Sequence, residues 1–291
     1  MSEEIFFEVD GGTVAALDHG GAGHPVLLVH GSGHNAAAWE AVVAGLLPRH
    51  RVIAVDLRGH GHSTAESRTA EQYWRDLAVV VTASGWERPL LVGHSTGGYA
   101  VTAVTAAGLV EPSGICIVDG LVLDDRQTAA RALGQLRTTQ AAEDLRRTFG
   151  YGRRFDAAQR DAWIEKQAAD APTDWLNAGA DPELVRAVGA RSFLSDGGGV
   201  FTRRPTTEEI AATTTAPADA PVYPSVDVYD GITCPMTIVL ARHGFYSDRR
   251  DEVTTIVKTT PQRRLVEIAS GHNIVMTHPQ QLTAAIAAMT A

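Results

Sequence analysis

Ser95 lies in the hexapeptide Gly93-His94-Ser95-Thr96-Gly97-Gly98. The apolar run Pro89–Val92 precedes this segment, and a helical pattern follows it. G-x-S-x-G between a strand and a helix is typical of a sharp, strained turn that exposes a serine hydroxyl as a nucleophile. Gly93 and Gly97 leave the space that such a turn needs. The pattern is common, so its meaning depends on which residues could act together with Ser95.

His272 is the histidine that we expect to act as a base on Ser95. A serine hydroxyl is a poor nucleophile at neutral pH and needs a base within hydrogen-bond reach. His272 follows the last predicted strand, Arg264–Ala269, in a short Gly-His loop. A loop after a parallel strand lies at the same edge of the sheet as the turn at Ser95. His34 and His243 are further candidates to line the site.

Alternating apolar runs and helical patterns predict the elements that must position these residues. Two runs, Ile5–Val9 and Thr13–Asp18, predict an antiparallel hairpin. Continuous apolar runs suit strands that are buried on both faces of a parallel sheet, and they occur at Val26–His30, Arg51–Asp56, Pro89–Val92 and Gly114–Asp119. Further strands are predicted at Met236–Ala241 and Arg264–Ala269. Helices are predicted near residues 36–47, 71–85, 97–109, 249–258 and 279–290. The alternation predicts an α/β fold with a mostly parallel eight-stranded sheet and helices on both faces.

Residues 121–230 interrupt this alternation. They hold helical patterns at Asp125–Thr148 and Asp156–Ala169, no strong strand alternation, and a predicted surface loop at Thr206–Pro224. We therefore expect residues 1–120 and 231–291 to form the core, and residues 121–230 to form a mainly helical cap over the edge where ligands bind. Aromatic residues of this cap could line an apolar pocket or form the core of the cap itself; they are Trp175, Tyr151, Phe193, Phe201 and Tyr223.

The composition of the 291 residues limits the possible partners. A net charge of −9 makes a nucleic-acid partner unexpected. No apolar run approaches the ~18 residues that a membrane span needs, and the first residues lack a signal-peptide pattern. We expect a cytoplasmic protein that acts on a small molecule without membrane contact, and a homodimer is compatible with the sequence. Cys116 and Cys234 are interpreted as small core residues, and the chain has no zinc-like Cys/His set.

Four motifs together resemble the α/β-hydrolase superfamily. They are His30-Gly31-Ser32-Gly33 followed by Trp39, the segment Asp56-Leu57-Arg58-Gly59-His60-Gly61-His62-Ser63, the hexapeptide around Ser95, and Gly271-His272. The resemblance covers nearly the whole chain outside residues 121–230, which correspond to the cap of the family. It implies a hydrolase that needs no cofactor and no metal.

The resemblance also implies an oxyanion hole, which is a pair of backbone N–H groups that stabilise negative charge on the substrate oxygen. One donor is expected at Thr96, where the N-terminus of a helix adds a favourable dipole. The other is expected at Ser32. Gly31 and Gly33 would allow the backbone to approach the substrate closely.

Two carboxylates remain candidates for the acid that orients His272. In most of the family the acid follows the next-to-last strand, and there Asp248 comes about two residues late. In a second branch, which includes haloalkane dehalogenases and zearalenone lactonases, the acid ends the strand after the nucleophile strand, where this chain has Asp119. A carboxylate that ends an apolar strand needs a partner, because burial of an isolated charge is costly. We favour Asp119 and keep Asp248 as the alternative; Asp124 and Asp125 are interpreted as helix caps.

These residues predict a serine hydrolase that cleaves a carboxylic ester or lactone of a small, largely apolar substrate through an acyl-enzyme. Haloalkane dehalogenases and epoxide hydrolases of this fold use Asp where Ser95 stands, so their alkyl-enzyme chemistry is excluded. Two alternatives use the same triad: a cofactor-free perhydrolase or haloperoxidase, and a hydrolase or lyase acting on C–C bonds. A third alternative is a small-molecule receptor that has lost turnover.

Overall fold

An eight-stranded sheet runs through the centre of the protein, seen in a computed structural model that describes residues 2–217 and 219–290. Along the chain the strands are β1 (Glu3–Val9), β2 (Gly12–Gly20), β3 (His24–Val29), β4 (His50–Val55), β5 (Leu90–His94), β6 (Gly114–Val118), β7 (Arg154–Phe155), β8 (Phe193–Ser195), β9 (Phe201–Arg203), β10 (Met236–Ala241) and β11 (Arg263–Ile268). The main sheet has the order β1-β2-β4-β3-β5-β6-β10-β11. β2 is antiparallel to β1 and to β4, and the other neighbours are parallel.

Helices cover both faces of this sheet. In chain order they are α1 (Glu40–Leu46), α2 (Ala70–Ala83), α3 (Thr96–Ala106), α4 (Arg126–Gln135), α5 (Thr139–Phe149), α6 (Ala157–Asp170), α7 (Pro182–Arg191), α8 (Thr207–Thr213), α9 (Arg250–Lys258), α10 (Ile274–Thr277) and α11 (Pro279–Ala287). Because side chains alternate along a strand, Leu27 and Val29 pack with α2, α3 and α9, whereas Val26 and Leu28 pack with α1 and α11. The predicted fold class is therefore confirmed.

Two predictions on the helices were wrong in detail. The pattern at residues 125–148 forms two helices rather than one, because Thr138 caps a new helix by accepting from the N–H of Ala141. The predicted loop at residues 206–224 contains α8. Thr206 and Glu209 cap each other's backbone N–H groups there, and this T-x-x-E pattern is a helix-start signal that the sequence contained. Ala218 lies outside the described residues.

The segment between β6 and β10 also contains a small sheet that was not predicted. Its order is β7-β9-β8, and each strand has two or three residues, too few to show a readable alternation. Part of the segment packs directly on the core: Leu184 and Val188 contact the cluster around α1, and Val228 and Tyr229 join the cluster around α3. The division into a core and a cap at residues 121–230 stays a prediction.

Candidate active site

Ser95 occupies the tight turn between β5 and α3. Its backbone has φ 52° and ψ −122°, a conformation that residues other than glycine rarely adopt and that is found where function requires it. The N–H of Ser95 donates to the carbonyl of Val118 at 3.0 Å, which anchors the turn to β6. A Cβ on Gly97 would overlap the carbonyl oxygens of Val29 and His30. The helix therefore starts directly against β3, and the Ser95 side chain is left half-buried at the sheet edge.

Two backbone N–H groups lie beside this turn, at Ser32 and Thr96. The hydroxyl oxygens of the two residues are 2.7 Å apart, so the loop after β3 and the start of α3 are in contact. Neither N–H is hydrogen-bonded to another group in the part of the chain that the structure describes. Gly31 is buried behind them, and a Cβ there would come within 2.7 Å of the Ser95 Cβ. The predicted donors of an oxyanion hole are thus adjacent to each other and free to donate.

His272 is paired with Asp119. Its Nδ1 lies 2.6 Å from Oδ2 of Asp119, and the carboxylate is fully buried. The other oxygen, Oδ1, accepts the N–H of Ala241 at 3.0 Å. The pair is held from three strands, because Asp119 follows β6, Ala241 ends β10 and His272 lies in the loop after β11. Asp248, the alternative acid, is exposed in the 3-10 helix Ser247–Arg249 and does not contact His272.

Ser95 and His272 line one cavity of about 780 Å³, and they are not hydrogen-bonded to each other in the described chain. Such contacts are often long in enzymes without a bound substrate. Of the residues predicted to bind substrate, Trp175 and Tyr151 line this cavity, as does His34. A volume of this size suits a small organic substrate.

Three of the candidate pocket aromatics do not line this cavity and follow the alternative interpretation, in which they pack against other residues of the segment. Phe193 packs edge-on against Phe155 with ring centroids 5.3 Å apart, inside the segment between β6 and β10 (the insertion). Phe201 is covered by the guanidinium of Arg160 at 4.1 Å. Tyr223 packs with small residues near α4. Neighbouring residues of the insertion thus cover these three aromatic rings. Gly31 supports Ser95 from behind and does not line the cavity, and the candidate His243 is exposed outside it.

Two rings for which the sequence predicted no role, Phe245 and His94, pack against His272. Phe245 stacks on the imidazole with ring centroids 4.0 Å apart, and it lines the cavity. On another side His94 is 4.8 Å away, and its Nε2–H donates to the carbonyl oxygen of His272 at 3.0 Å. Burial is the main cause that lowers the pKa of His94 well below its usual value, and repulsion from a charged His272 lowers it further. A neutral His94 therefore fixes the backbone of His272 without adding a second cation.

The contacts of Asp56 show that the motif Asp56–Ser63 has a structural role. Its carboxylate is fully buried and accepts the N–H groups of Ala36 and His62, both at 2.8 Å. It also pairs with Arg191 of α7, with Nη2 and Oδ2 2.9 Å apart. The motif therefore joins the loop after β3 and the insertion to the core, and it takes no part in lining the cavity.

Comparison with known proteins agrees with this architecture. Protein phosphatase methylesterase 1 of Mus musculus is 36% identical over 126 residues, which are 40% of this chain and 32% of that protein. The chain thus matches about a third of that relative's length.

Solved structures share the fold along the whole chain. The structure of E-2-(acetamidomethylene)succinate hydrolase matches with a TM-score of 0.75 at 19% identity, covering 100% of this chain and 99% of that one. The enol-lactonase from Burkholderia xenovorans LB400 matches with a TM-score of 0.67 at 18% identity, covering 98% and 99%. Residues 26–286 match the sequence profile of the Alpha/beta hydrolase family. Since this match spans most of the sequence, the chain belongs to the alpha/beta hydrolase family.

Proposed function

We propose that this hydrolase cleaves a carboxylic ester or lactone through an acyl-enzyme on Ser95. The observation that carries the proposal is the 2.6 Å contact between His272 Nδ1 and the fully buried Asp119, at the edge of the cavity that holds the strained Ser95. With its Nδ1–H donated to Asp119, the neutral imidazole leaves Nε2 free to accept a proton. This is the tautomer that a general base for a serine requires.

In the first half of the reaction, Ser95 Oγ attacks the carbonyl carbon and its proton passes to Nε2 of His272. The oxyanion that forms accepts hydrogen bonds from the N–H groups of Ser32 and Thr96, whose direction is set before the substrate binds. The buried carboxylate of Asp119 stabilises the imidazolium. Collapse of the intermediate breaks the ester C–O bond, and the leaving oxygen takes the proton from His272.

In the second half, His272 accepts a proton from water, and the hydroxide attacks the acyl-enzyme. The second tetrahedral intermediate collapses, the bond to Ser95 Oγ breaks, and the proton returns to the serine. The product is a carboxylic acid, and a lactone would give one hydroxy acid. The names of the similar proteins, a methylesterase and an enol-lactonase, support an acyl substrate.

The proposal is tested by labelling and turnover of the full chain. We expect a fluorophosphonate probe to modify Ser95, and Ser95→Ala to abolish both labelling and hydrolysis of p-nitrophenyl butyrate. Ser113→Ala is the matched control, because Ser113 does not line the cavity. Its hydroxyl is hydrogen-bonded to His24 at 2.8 Å. Full turnover by Ser95→Ala would overturn the mechanism. A chain that neither labels nor turns over would favour a receptor that has lost catalysis.

A further inference from the structure

Arg203 lines the same cavity as Ser95, although it belongs to the small sheet of the insertion. It is the last residue of β9, and only 6% of it is exposed. Its guanidinium lies over the rings of Trp163 and Tyr151, at 5.0 and 5.6 Å from their centroids. The positively charged guanidinium of Arg203 therefore lies among aromatic residues that line the cavity.

The guanidinium of Arg203 forms no ion pair in the part of the chain that the structure describes. Among the described residues no carboxylate lies within ion-pair distance of it, and its Nε is buried without a hydrogen-bond partner. Its Nη1 donates to the carbonyl of Arg204, and its Nη2 reaches the carbonyl of Gly33 only at 3.4 Å. Most of the five N–H donors of this guanidinium thus have no strong acceptor within residues 2–217 and 219–290.

Two other buried arginines, Arg191 and Arg204, do have carboxylate partners. Arg191 is paired with Asp56 and Glu4, and Arg204 with Glu209. The carboxylates that line the cavity are already engaged elsewhere: Asp170 pairs with Lys166 at 2.5 Å, and Asp174 accepts from the side chain of Asn177 at 2.6 Å. Arg203 is therefore the cation of the described cavity that lacks a counter-charge.

An unpaired buried cation is costly for the folded protein. Burial lowers the pKa of Arg203 to about 10, which still leaves the guanidinium charged at neutral pH. A bound anion would supply the missing charge, and a carboxylate matches both the planar fork of a guanidinium and its single charge. A phosphate dianion would instead leave an uncompensated negative charge.

We infer that Arg203 binds a carboxylate of the substrate, so that the ester or lactone cleaved at Ser95 carries a second, anionic group. Tyr151 completes the site. Its hydroxyl is so close to Gly33 that a Cβ there would overlap it, and it has no hydrogen-bond partner among the described residues. Since Gly33 follows Ser32, the carboxylate would lie beside the loop that supplies one oxyanion donor. This inference rests on the proposed function.

The test compares two esters that differ in one group. Mono-p-nitrophenyl glutarate carries a free carboxylate, and p-nitrophenyl 5-methylhexanoate has an uncharged isopropyl end of the same shape. We expect wild type to prefer the glutarate ester, and Arg203→Gln to lower its kcat/KM by about 10- to 100-fold, the scale of a hydrogen bond to a charged group. The neutral ester should change by less than about threefold, which also shows that the variant is folded.

Two further variants separate the causes. Arg203→Lys keeps the charge without the fork and should lie between wild type and Arg203→Gln. Arg154→Gln is the control for a general loss of positive charge, because Arg154 sits on the adjacent strand, opposite Thr202, and is exposed. It should leave the preference for the glutarate ester unchanged. An equal effect of Arg203→Gln on both esters would overturn the inference and leave the proposed function intact.

A binding measurement tests the site without turnover. Calorimetry on Ser95→Ala should detect glutarate, and the double variant with Arg203→Gln should bind it at least about tenfold more weakly. Neutral glutaramide should not bind. Glutarate binding that survives Arg203→Gln would overturn the inference. Inorganic phosphate that binds more tightly than glutarate would overturn the assignment of a carboxylate.

Discussion

Asp119 has a backbone as unusual as that of Ser95, with φ 43°. Its N–H donates to the carbonyl of Val239 at 2.8 Å, and its carboxylate accepts from Ala241 and His272. Both oxygens are therefore satisfied, and the side chain has one direction in which it can point. We propose that Asp119 is the acid, because this carboxylate can do little other than orient His272.

Replacing each candidate acid tests this assignment. Asp119→Asn should lower kcat by about 10⁴, the loss known when the acid of a serine triad becomes an amide and stabilises the wrong histidine tautomer. Asp248→Asn should have little effect, since Asp248 is exposed. The measurement is ester turnover by the two variants, and a larger loss from Asp248→Asn would contradict the assignment.

Gly244 leaves the space that the Asp119 carboxylate occupies. A Cβ on this residue would come within 3.0 Å of the Asp119 Cγ and 2.7 Å of the Ala241 Cβ. Gly244→Ala should therefore displace the carboxylate and lower kcat by about 10²-fold, with KM nearly unchanged.

Gly134→Ala is the matched control for this variant. The nearest neighbour of a Cβ there is a guanidinium nitrogen of Arg137 at 3.8 Å, and Gly134 is helical. Its turnover should equal that of wild type. Equal turnover by Gly244→Ala would show that the space beside Asp119 is not limiting.

An ion pair joins α7 of the insertion to the core. Arg191 ends this helix, is 9% exposed and binds the fully buried Asp56, with Nε and Oδ1 3.1 Å apart. It also reaches Glu4 of β1 at 2.7 Å. The helix is therefore fixed over the sheet edge by charge as well as by apolar packing.

Arg191→Gln should lower the free energy of unfolding by about 3–5 kcal/mol, because it leaves the buried charge of Asp56 without its cation. Arg186→Gln on the same helix is the control. Arg186 pairs with Glu165 and Glu183 on the surface, where ion pairs contribute little. Urea unfolding of both variants measures the difference, and equal stabilities would contradict a structural role for the Arg191 pair.

Buried histidines make the stability of the folded protein depend on pH. Burial lowers the pKa of His30 and His60 to about 3 and that of His34 to about 4. His30 depends on being neutral, because its Nε2 accepts the N–H of Leu57 at 2.8 Å. In the unfolded chain these side chains return to the ordinary histidine pKa of about 6.5.

Stability should therefore fall as the pH drops from about 6.5 towards 4. In this window the unfolded chain binds protons that the folded protein excludes, and each such histidine contributes up to about 1.4 kcal/mol per pH unit. The check is urea unfolding at pH 7.5, 6.0 and 5.0. His60→Asn should reduce the slope, and a stability that stays level or rises towards pH 5 would contradict the prediction.

Across residues 2–217 and 219–290, no helix is both long enough and apolar enough to cross a membrane. A cytoplasmic location and a homodimer stay predictions. The location and the oligomeric state can both be measured on the full chain, and neither measurement depends on the chemistry of the site.

Features that depend on the local order of residues could be predicted from the sequence. Continuous apolar runs predicted the central strands β3, β4, β5 and β6, because strands buried on both faces need apolar side chains at each position. The outer strands β1 and β2 were predicted as an antiparallel hairpin. The small residues around Ser95 predicted its turn, because only they leave room for a strand to reverse into a helix. The place of His272 followed from the end of β11.

Which distant residues meet depends on how the strands pack in three dimensions. Asp119 rather than Asp248 reaches His272 because β6 and β10 are neighbours in the sheet, a pairing that chain order does not specify. Phe193 and Tyr223 turn away from the cavity because partners within the insertion cover them. The residues next to Arg203 in the sequence did not indicate a role for it, because the role is inferred from the lack of an ion-pair partner among the described residues. Such properties depend on the folded surroundings of a side chain and are absent from its spacing along the chain.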